Sequence, residues 1–498
     1  MKGYVLAIDQ GTTGSRVMIL NHKGQVVGSA YSEFPQIYPQ PGWVEHDPEV
    51  IWNTTFGIMK KALDTSYVQP EEIVSIGITN QRETTVLWER DTLRPVHNAI
   101  VWQCRRSAEI CDELKHDGHE PLFQRKTGLV LDAYFSGTKV KWLLDTIPGL
   151  RSRAKSGEVA FGTIDSWLIA KLTKGRLHVT DYTNASRTLM FNIHEKKWDD
   201  DLLKVLDIPS AMLPTVVSSA EIIGNTDSEA TGSAIPIAGI AGDQQAALFG
   251  QGCFDEGQAK NTYGTGCFLL LNVGDKRIDP NNGLILTLAC NELGKPCYAL
   301  EGSVFIAGAV IQWLRDGLGL IADAAQCQSI AESVNDSHGV YMIPAFAGLG
   351  APHWDMYARG AIMGITRSTN KAHIIRAALE GIAYQVKDLI GAFEQSTGRS
   401  FTDLKVDGGA CRNDFLMQFQ SDILGCPVDR SNHIESTGMG AAYLAGIATG
   451  FWTPGNEIRD LRGSDKVFLP KINEETREKL YAGWKNAIAR VKSTTRTI

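Results

Sequence analysis

The stretch "YVLAIDQGTTGSR", Tyr4 to Arg16, joins an apolar, β-prone run to a turn of glycine and hydroxyl residues. Glycine permits a tight turn whose backbone N–H groups converge on an anion, and the hydroxyls of Thr12 and Thr13 add donors. Asp9 would repel a bare phosphate, but a magnesium ion between the two makes the contact attractive. The segment therefore predicts a metal-phosphate site. The alternative is an ordinary hairpin with an exposed aspartate.

A second turn of the same kind, "YGTGCF", runs from Tyr263 to Phe268. Residues 4–20 and 260–273 share one pattern, an apolar run, a Gly/Thr turn and a second run, which predicts two hairpins. Two such turns facing each other can hold a phosphate chain from both sides. A third glycine cluster, "VDGGACRNDF" at 406–415, lies between a strand-like and a helix-like segment, where a plain connecting turn is the alternative.

The rest of the chain alternates between strand and helix patterns. "IVSIGITNQRET" at 73–84 and "IPIAGIAGDQQAALFG" at 235–250 predict strand-to-helix units. Apolar residues three and four positions apart predict later helices over 303–316, 373–393 and 413–425. The same spacing predicts a closing helix with Leu480, Trp484, Ile488 and Val491. This alternation predicts an α/β fold.

The length of 498 residues exceeds one ordinary core and predicts two domains. The glycine-rich stretch "GQGCFDEGQ" at 250–258 is typical of a link between them, so we place the domains at 1–250 and 251–498. Nine cysteines form no C-x-x-C pair, which predicts reduced, mostly buried thiols.

Composition excludes several classes of function. The formal net charge of -7 argues against a nucleic-acid partner, because binding to phosphate backbones requires clustered Lys and Arg. No apolar segment is long enough to span a bilayer, so we expect no membrane insertion. The N-terminal apolar run is short, interrupted by Asp9 and unlike a signal peptide, which predicts a cytoplasmic protein. The negative charge favours small molecules as its partners.

Several longer strings carry a family resemblance. They are "DQGTTGSR", "PGWVEHDP" (41–48), "GITNQRETT" (77–85), "NAIVWQCRR" (98–106), "YFSGTKVKWLLD" (134–145), "VTDYTNASRT" (179–188), "AGDQQAALFGQ" (241–251), "NTYGTGCF" (261–268), "PAFAGLGAPHWD" (344–355) and "VDGGACRNDFLMQFQSDIL" (406–424). With these strings the chain resembles, over nearly its whole length, the glycerol kinases of the FGGY carbohydrate kinase family.

The resemblance implies a fold, a reaction and partners. The fold is the two-domain actin-like, hexokinase and Hsp70-type ATPase fold, built of ribonuclease H-like domains with an interdomain cleft. The reaction is transfer of the γ-phosphoryl group from ATP, with Mg²⁺, to glycerol, which gives sn-glycerol 3-phosphate. The family also leads us to expect a homodimer or homotetramer.

The resemblance also assigns roles to individual positions. The residues implied to bind glycerol are Arg82, Glu83, Trp102, Tyr134, Asp243, Gln244 and Phe268. Those implied to bind the nucleotide are Thr12, Thr13, Gly14, Arg16, Thr265, Gly308, Gln312, Gly409 and Asn413. Asp9 and Asp243 are the implied magnesium ligands, and Asp243 is the implied catalytic base.

The residue types suit this chemistry. Glycerol is an uncharged polyol, and an Arg-Glu pair supplies both donors and acceptors for its hydroxyls. Asp243 ends an apolar run and starts a helical one, where it can accept a proton from the attacking hydroxyl. A helix N-cap is the alternative for Asp243, a surface ion pair for Arg82 and Glu83, and core packing for Trp102 and Phe268.

The chain departs from the family pattern at a few positions. Gly14 stands where a serine is common, which removes one hydroxyl from the first turn, although Ser15 follows. His353 replaces a usual tyrosine, and "STGMGAAYLAG" at 436–446 differs from the common form. The alternatives for the function are an FGGY kinase acting on another polyol or a ketose, and an actin-like ATPase without a small-molecule acceptor.

Overall fold

The computed structural model describes residues 3–280 and 283–493. The chain forms two compact units. The N-terminal unit comprises Met1–Phe254, Leu286–Ala299 and Thr437–Arg462, and the C-terminal unit comprises Asp255–Ile285, Leu300–Ser436 and Gly463–Ile498. The predicted domain boundary between residues 250 and 251 stays a prediction.

The structure is built of strands and helices in alternation. The strands are β1 Tyr4–Gln10, β2 Gly14–Leu20, β3 Val26–Glu33, β4 Glu45–His46, β5 Ile73–Asn80, β6 Val86–Glu89, β7 Ala99–Ile100, β8 Val159–Gly162, β9 Val179–Asp181, β10 Phe191–Asn192, β11 Lys197–Trp198, β12 Thr215–Val217, β13 Ala220–Asn225, β14 Pro236–Gly242, β15 Ala259–Tyr263, β16 Cys267–Gly274, β17 Ile285–Cys290, β18 Pro296–Val304, β19 Tyr341–Ile343, β20 Ala361–Met363, β21 Leu404–Asp407, β22 Val428–Ser431 and β23 Ser464–Phe468. The α-helices are α1 Pro48–Ser66, α2 Ala108–His116, α3 Glu120–Thr127, α4 Ser136–Thr146, α5 Leu150–Lys155, α6 Ile164–Leu172, α7 Tyr182–Ala185, α8 Asp200–Leu206, α9 Ser228–Thr231, α10 Asp243–Gly250, α11 Gly308–Asp316, α12 Gln326–Glu332, α13 Lys371–Thr397, α14 Asp414–Leu424, α15 Ser436–Ala448, α16 Asn456–Arg462 and α17 Glu474–Ala489. The α/β prediction is confirmed.

The N-terminal unit is organised around a six-stranded sheet in the order β13-β14-β5-β1-β2-β3. β1 and β2 form an antiparallel hairpin, and β1 pairs in parallel with β5, which pairs in parallel with β14. Side chains alternate along each strand, so Leu6 and Ile8 enter one apolar core while Val5 and Ala7 enter another. Burial on both faces explains why these strands appear in the sequence as nearly continuous apolar runs.

Helix α15 lies unusually close to this sheet. A Cβ atom at Gly77 of β5 would lie 2.0 Å from the carbonyl oxygen of Ala441, and one at Gly239 of β14 would lie 2.6 Å from the backbone nitrogen of Ala445. Only glycine on the strands and small residues on the helix allow this approach. The divergent string at 436–446, which forms most of α15, keeps the small residues that this packing requires.

The C-terminal unit repeats the plan of the N-terminal sheet. Five of its strands are hydrogen-bonded neighbours in the order β16-β15-β21-β22-β23. β15 and β16 form an antiparallel hairpin, β15 pairs in parallel with β21, β21 pairs in parallel with β22, and β23 is antiparallel to β22. A central hairpin beside two parallel strands and an antiparallel edge strand therefore occurs twice. The two hairpins are those that the Gly/Thr segments predict.

Most predicted elements are confirmed, and three are wrong in part. The strand-to-helix unit at 235–250 and the helices at 373–393 and 413–425 are present. The segment 73–84 is not a strand-to-helix unit, because β5 is followed by a turn in which Glu83 has φ 59°, a left-handed conformation that ends helical geometry. Residues 303–304 finish β18, so the helix begins only at Gly308, and Val491 lies beyond the end of α17.

All nine cysteines are buried free thiols, which confirms the prediction. Within residues 3–280 and 283–493, no helix is both long enough and apolar enough to cross a membrane.

Candidate active site

Three parallel strands of the N-terminal sheet bring predicted site residues to one edge. In the register of β1, β5 and β14, Asp9 pairs with Thr79, and Thr79 pairs with Ala241. Asp9 is near the end of β1, Arg82 lies two residues past β5, and Asp243 directly follows β14. The carboxyl ends of parallel strands are the usual ligand edge of an α/β sheet.

The turn between β1 and β2 is fixed by donors to its carbonyl oxygens. The N–H of Gly11 donates to Gly14 O (2.9 Å), and the N–H of Phe34 donates to Thr13 O (3.3 Å). The Gln36 side chain donates to Thr12 O (3.0 Å), and the Gln81 side chain donates to Gly11 O (3.2 Å). Because carbonyl lone pairs repel anions, binding these oxygens within the protein leaves the turn suited to a phosphate.

Gly14 has no room for a side chain. A Cβ atom there would lie 2.6 Å from the Tyr31 hydroxyl and 2.7 Å from the carbonyl oxygen of Ser32 on β3. The next residue does not replace the missing hydroxyl, because Ser15 is fully buried and its Oγ accepts a hydrogen bond from Thr55 Oγ1 (3.0 Å). Arg16 follows on β2, and its guanidinium lies over the Tyr31 ring.

Asp243 forms an ion pair with Arg82. Arg82 Nε lies 3.0 Å from Asp243 Oδ1, and Arg82 Nη1 donates to Gln245 Oε1 (3.2 Å). The arginine side chain is 2% exposed, whereas 32% of the Asp243 side chain is exposed. The N-cap of α10 is Gly242, so the N-cap alternative for Asp243 is wrong. A buried cation thus holds a carboxylate that solvent, and therefore a small substrate, can reach.

Glu83 is paired with an arginine that the sequence analysis did not select. Arg187 Nε donates to Glu83 Oε1 at 2.6 Å, and the two side chains are 0% and 1% exposed. The adjacent Arg82 is farther from this carboxylate, with its Nε at 3.8 Å. The surface ion pair considered for Arg82 and Glu83 is therefore wrong, since both residues are buried. The string "VTDYTNASRT" was the available signal for Arg187.

Trp102 and Tyr134 form an aromatic wall beside these ion pairs. Their rings meet edge to face with centroids 5.5 Å apart, and the Arg187 guanidinium lies 5.8 Å from the Tyr134 ring centroid. The Trp102 indole N–H donates to Thr12 Oγ1 (2.9 Å). Trp102 is half-buried rather than a core residue, and it connects the wall directly to the first turn.

Two buried titratable groups lie behind this arrangement. Burial lowers the pKa of Lys139 to about 8, and its ammonium donates to the backbone carbonyls of Tyr134 and Phe135. Burial also lowers the pKa of His46 to about 4, so its imidazole is neutral at pH 7. The His46 ring contacts Gln36 Oε1 at 2.6 Å and Gln81 Nε2 at 3.3 Å, the two glutamines that support the first turn.

The C-terminal unit brings its own predicted residues together at the second turn. The N–H of Ala307 donates to Thr265 O (2.8 Å), and the N–H of Gly308 donates to Gly264 O (2.9 Å). These bonds attach the start of α11 to the turn. A Cβ atom at Gly408, the residue before Gly409, would lie 2.6 Å from Tyr263 O.

The remaining predicted residues lie on the flanking elements. Gln312 is exposed on α11, one turn after Gly308. Asn413 is the N-cap of α14, where its side chain accepts from the N–H of Leu416 (2.9 Å). Phe268 is half-buried on β16 and pairs in register with Thr262.

His353, the other departure from the family pattern, belongs to a separate cluster in the C-terminal unit. Its Nε2 lies 3.1 Å from Asp388 Oδ2. The same carboxylate accepts from the Tyr481 hydroxyl (2.7 Å) and from the Trp484 indole N–H (2.8 Å). Asp388 thus connects His353 to the closing helix α17.

Carboxylates in the N-terminal unit fit a magnesium ion that is shared with a nucleotide. In the described parts of the chain, no group of three or more His, Cys, Asp and Glu side chains forms a metal cage. Mg²⁺ in kinases is instead held by one or two carboxylates, phosphate oxygens and waters. Asp9 and Asp243, at the same edge of one sheet, provide carboxylates of this kind.

Comparison with known proteins agrees with this geometry. The FGGY family of carbohydrate kinases matches with its N-terminal domain over residues 4–250 and with its C-terminal domain over residues 259–449. A glycerol kinase of Carboxydothermus hydrogenoformans is 59% identical over 99% of this chain and 98% of its own.

Solved structures give the same result. The crystal structure of Plasmodium falciparum glycerol kinase with ADP has a TM-score of 0.93 and 38% identity, and covers 99% of each chain. A ligand-bound xylulose kinase of Lactobacillus acidophilus has a TM-score of 0.87 and 25% identity, and covers 98% of each chain. The likeness therefore extends over both halves of the chain.

Proposed function

This chain belongs to the FGGY family of carbohydrate kinases, and we propose that it is an ATP-dependent glycerol kinase that produces sn-glycerol 3-phosphate. The observation that carries the proposal is the hydrogen bond from the Trp102 indole to Thr12 Oγ1 (2.9 Å). It joins a wall suited to the carbon chain of an acceptor to a turn suited to a phosphate. A phosphotransferase needs these two features side by side.

The acceptor site suits a small neutral polyol. Arg82 with Asp243 and Arg187 with Glu83 are two ion pairs in which cation and anion balance. Arginine donates and carboxylate accepts, so each pair can match a hydroxyl group, which does both. The faces of Trp102 and Tyr134 suit the C–H groups of the same molecule. We therefore assign to glycerol binding the residues Arg82, Glu83, Trp102, Tyr134, Asp243 and Gln244, together with Phe268 of the C-terminal unit.

Asp243 is the general base in this proposal. Its carboxylate is partly exposed and held by Arg82, so it can accept the proton of a terminal glycerol hydroxyl. The hydroxyl oxygen attacks the γ-phosphorus of ATP, the bond to the β-γ bridging oxygen breaks, and ADP leaves. Asp9 and Asp243 would hold Mg²⁺, which supplies charge neutralisation at the phosphates when bound.

The nucleotide contacts are assigned to both units. In the first turn they are Thr12, Thr13, Gly14 and Arg16. In the C-terminal unit they are Thr265, Gly308, Gln312, Gly409 and Asn413. The carbonyl bonds that fix each turn support this assignment, because a turn that holds its shape without ligand presents its donors without an ordering cost.

A substrate panel tests the proposed activity. ADP release by the full chain is measured with glycerol, other polyols, xylulose, gluconate and no acceptor. We expect the highest kcat/KM with glycerol. A preference for a ketose would establish the other FGGY activity, and equal ATP turnover without any acceptor would establish an acceptor-free ATPase; either result overturns the proposal.

Replacement of Asp243 tests its role as the base. We expect Asp243→Asn to lower kcat by about 10²- to 10⁴-fold, because the amide cannot take the proton. Asp200→Asn is a matched control, since Asp200 also begins a helix, α8, and is exposed. Normal turnover by the Asp243 variant would remove it as the base.

We also propose a homodimer or homotetramer, which the family resemblance supports, and a cytoplasmic location, which rests on the sequence of the N-terminal apolar run. Light scattering coupled to size-exclusion chromatography measures the mass of the assembly directly. A mass of about 54.5 kDa, that of one chain, would exclude both oligomers.

A further inference from the structure

The string "VTDYTNASRT" at 179–188 enters the function proposed above only through the ion pair of Arg187 with Glu83, yet the whole segment lies behind the candidate active site. It contains all of β9, the short helix α7 and Arg187. Asp181 and Arg187, at either side of α7, are fully buried. A buried charged group is retained only when it is paired and hydrogen-bonded, so the contacts of these two residues are informative.

Arg187 contacts two residues assigned to glycerol. Its Nε donates to Glu83 Oε1 at 2.6 Å, and its guanidinium lies 5.8 Å from the Tyr134 ring centroid and 5.2 Å from that of Phe135. A planar guanidinium can donate in its plane and stack through its face at the same time. Arg187 thereby fixes a carboxylate and an aromatic ring relative to each other.

Glu83 needs such support because its backbone is strained. Its φ of 59° is in the left-handed region, which is unfavourable for a residue with a side chain. The Ser136 hydroxyl donates to its carbonyl oxygen (3.0 Å), which fixes the main chain. Arg187 fixes the side chain, so the carboxylate has one defined position in a buried site.

The other side of the segment supports the strand ends that carry Arg82 and Asp243. Asp181 accepts from the hydroxyl of Thr183 (3.0 Å) and the amide of Asn184 (3.0 Å). Thr183 Oγ1 in turn accepts the N–H of Gly242 (2.8 Å), the residue before Asp243. Asn184 and Asn80, two residues before Arg82, exchange side-chain hydrogen bonds of 3.0 and 3.1 Å.

We propose that the segment 181–187 is a positioning element for the acceptor site, and that Arg187 is the positioning residue that sets the Glu83 carboxylate and the Tyr134 ring for substrate. This rests on the proposed function of the site. Arg187 acts through Glu83 and Tyr134, so its loss should impair use of the acceptor more than use of ATP.

Arg187→Met tests the proposal, with Arg106→Met as the matched control. The side chain of Arg106 is also fully buried, pairs with buried Glu45 at 2.6 Å and lies over the rings of Trp43 and Trp142. We expect Arg187→Met to lower kcat/KM for glycerol by about 10²-fold, the scale of an acceptor displaced by about 1 Å, with the KM for ATP changed by less than about 2-fold. Arg106→Met should lower the melting temperature to a similar extent and leave kcat/KM for glycerol within about 3-fold.

Arg187→Lys keeps the test decisive if the methionine variant does not fold. Lysine keeps the positive charge, but it lacks the planar group that stacks on the rings and the several donors of the guanidinium. We expect a loss of about 10-fold in kcat/KM for glycerol, less than for methionine because the charge is kept. Wild-type kinetics for either folded variant, or an equal loss in Arg106→Met, would overturn the proposal.

A double-mutant cycle separates positioning from general damage. In a Glu83→Gln background, Arg187→Met should lower kcat/KM by no more than about 3-fold further, because the carboxylate that it positions is already gone. If Arg187→Met lowered kcat/KM in the Glu83→Gln background by the same factor as in the wild type, the result would contradict positioning through Glu83.

The acceptor panel distinguishes this proposal from the proposed function. If the wild-type chain uses another polyol or a ketose instead of glycerol, the proposed function fails, and the same variants are then measured with that acceptor. A selective loss of acceptor use still supports the positioning role of Arg187, and its absence still overturns it.

Discussion

Replacement of Gly14 by serine, the residue common in the family, should harm this chain rather than restore a phosphate contact. The new Cβ atom would lie 2.6 Å from the Tyr31 hydroxyl, 2.8 Å from Tyr31 Cζ and 2.7 Å from Ser32 O. Tyr31 is 46% exposed and can rotate away. The Ser32 carbonyl belongs to β3, so relief of that contact requires the strand to move.

The cost follows from this geometry. One backbone contact shorter than 3 Å amounts to overpacking, which lowers the free energy of unfolding by about 1–3 kcal/mol. Because the tyrosine can yield, we expect the lower part of that range, about 1–2 kcal/mol. This corresponds to a melting temperature lower by about 2–8 °C, at 2–4 °C per kcal/mol for a unit of this size. Movement of β3 also disturbs the bond from Phe34 N–H to Thr13 O, so the KM for ATP should rise.

Three variants test this prediction by thermal melting and by ATP kinetics at saturating glycerol. Gly14→Ser and Gly14→Ala should lose similar stability, because the strain arises from Cβ and not from the hydroxyl. Tyr31→Ala combined with Gly14→Ser should recover only that part of the lost stability that comes from the contact with the tyrosine. A Gly14→Ser protein that melts at the wild-type temperature and has a lower KM for ATP would refute the reasoning.

Three further predictions concern other groups. Trp102→Phe removes the N–H that bonds to Thr12, so we expect a rise of about 3- to 10-fold in the KM for glycerol or ATP, equivalent to one neutral hydrogen bond, measured by steady-state kinetics. Burial lowers the pKa of His46 from 6.5 to about 4, so between these pH values the unfolded chain binds more protons than the folded chain. The free energy of unfolding should therefore fall as the pH falls through this window, with about 2 kcal/mol lost at pH 5 because of His46. Urea melts should show a smaller fall for His46→Gln. The cysteines are buried, and burial raises the pKa of Cys111 and Cys327 to about 11, so an aromatic disulfide should titrate almost no thiol in the native protein at pH 8 and all nine in guanidinium.

Local sequence patterns were enough to predict the parts of the fold that depend on neighbouring residues. The apolar runs on either side of each Gly/Thr turn specified both hairpins, because strand length and turn residues are local properties. The segment 73–84 was not predictable in this way. Its polar end resembles a helix start, and only burial of the whole segment, including Gln81, Arg82 and Glu83, turns it into a strand followed by a turn.

The residue types at the strand ends were predictable, but their pairing was not. The sequence places Arg82 beside Glu83 and suggests that they pair with each other. In the fold, Arg82 pairs with Asp243 and Glu83 with Arg187, which is 104 positions away. Contacts at such separations depend on tertiary packing, which periodicity and turn chemistry do not encode. The support of the first turn by His46 and Gln36 escaped prediction for the same reason.

The balance of charge in the two ion pairs also bears on the choice of acceptor. Each buried arginine is already neutralised by a carboxylate, at 3.0 Å in the first pair and 2.6 Å in the second. An acceptor with its own carboxylate would place a third anion beside Asp243 and Glu83, and like charges at such distances cost several kcal/mol in a buried site. A neutral polyol adds only hydroxyls, which bond to both partners of a pair. The pairing that positions the site therefore also selects against aldonates, and gluconate in the substrate panel should give the lowest kcat/KM of the acceptors tested.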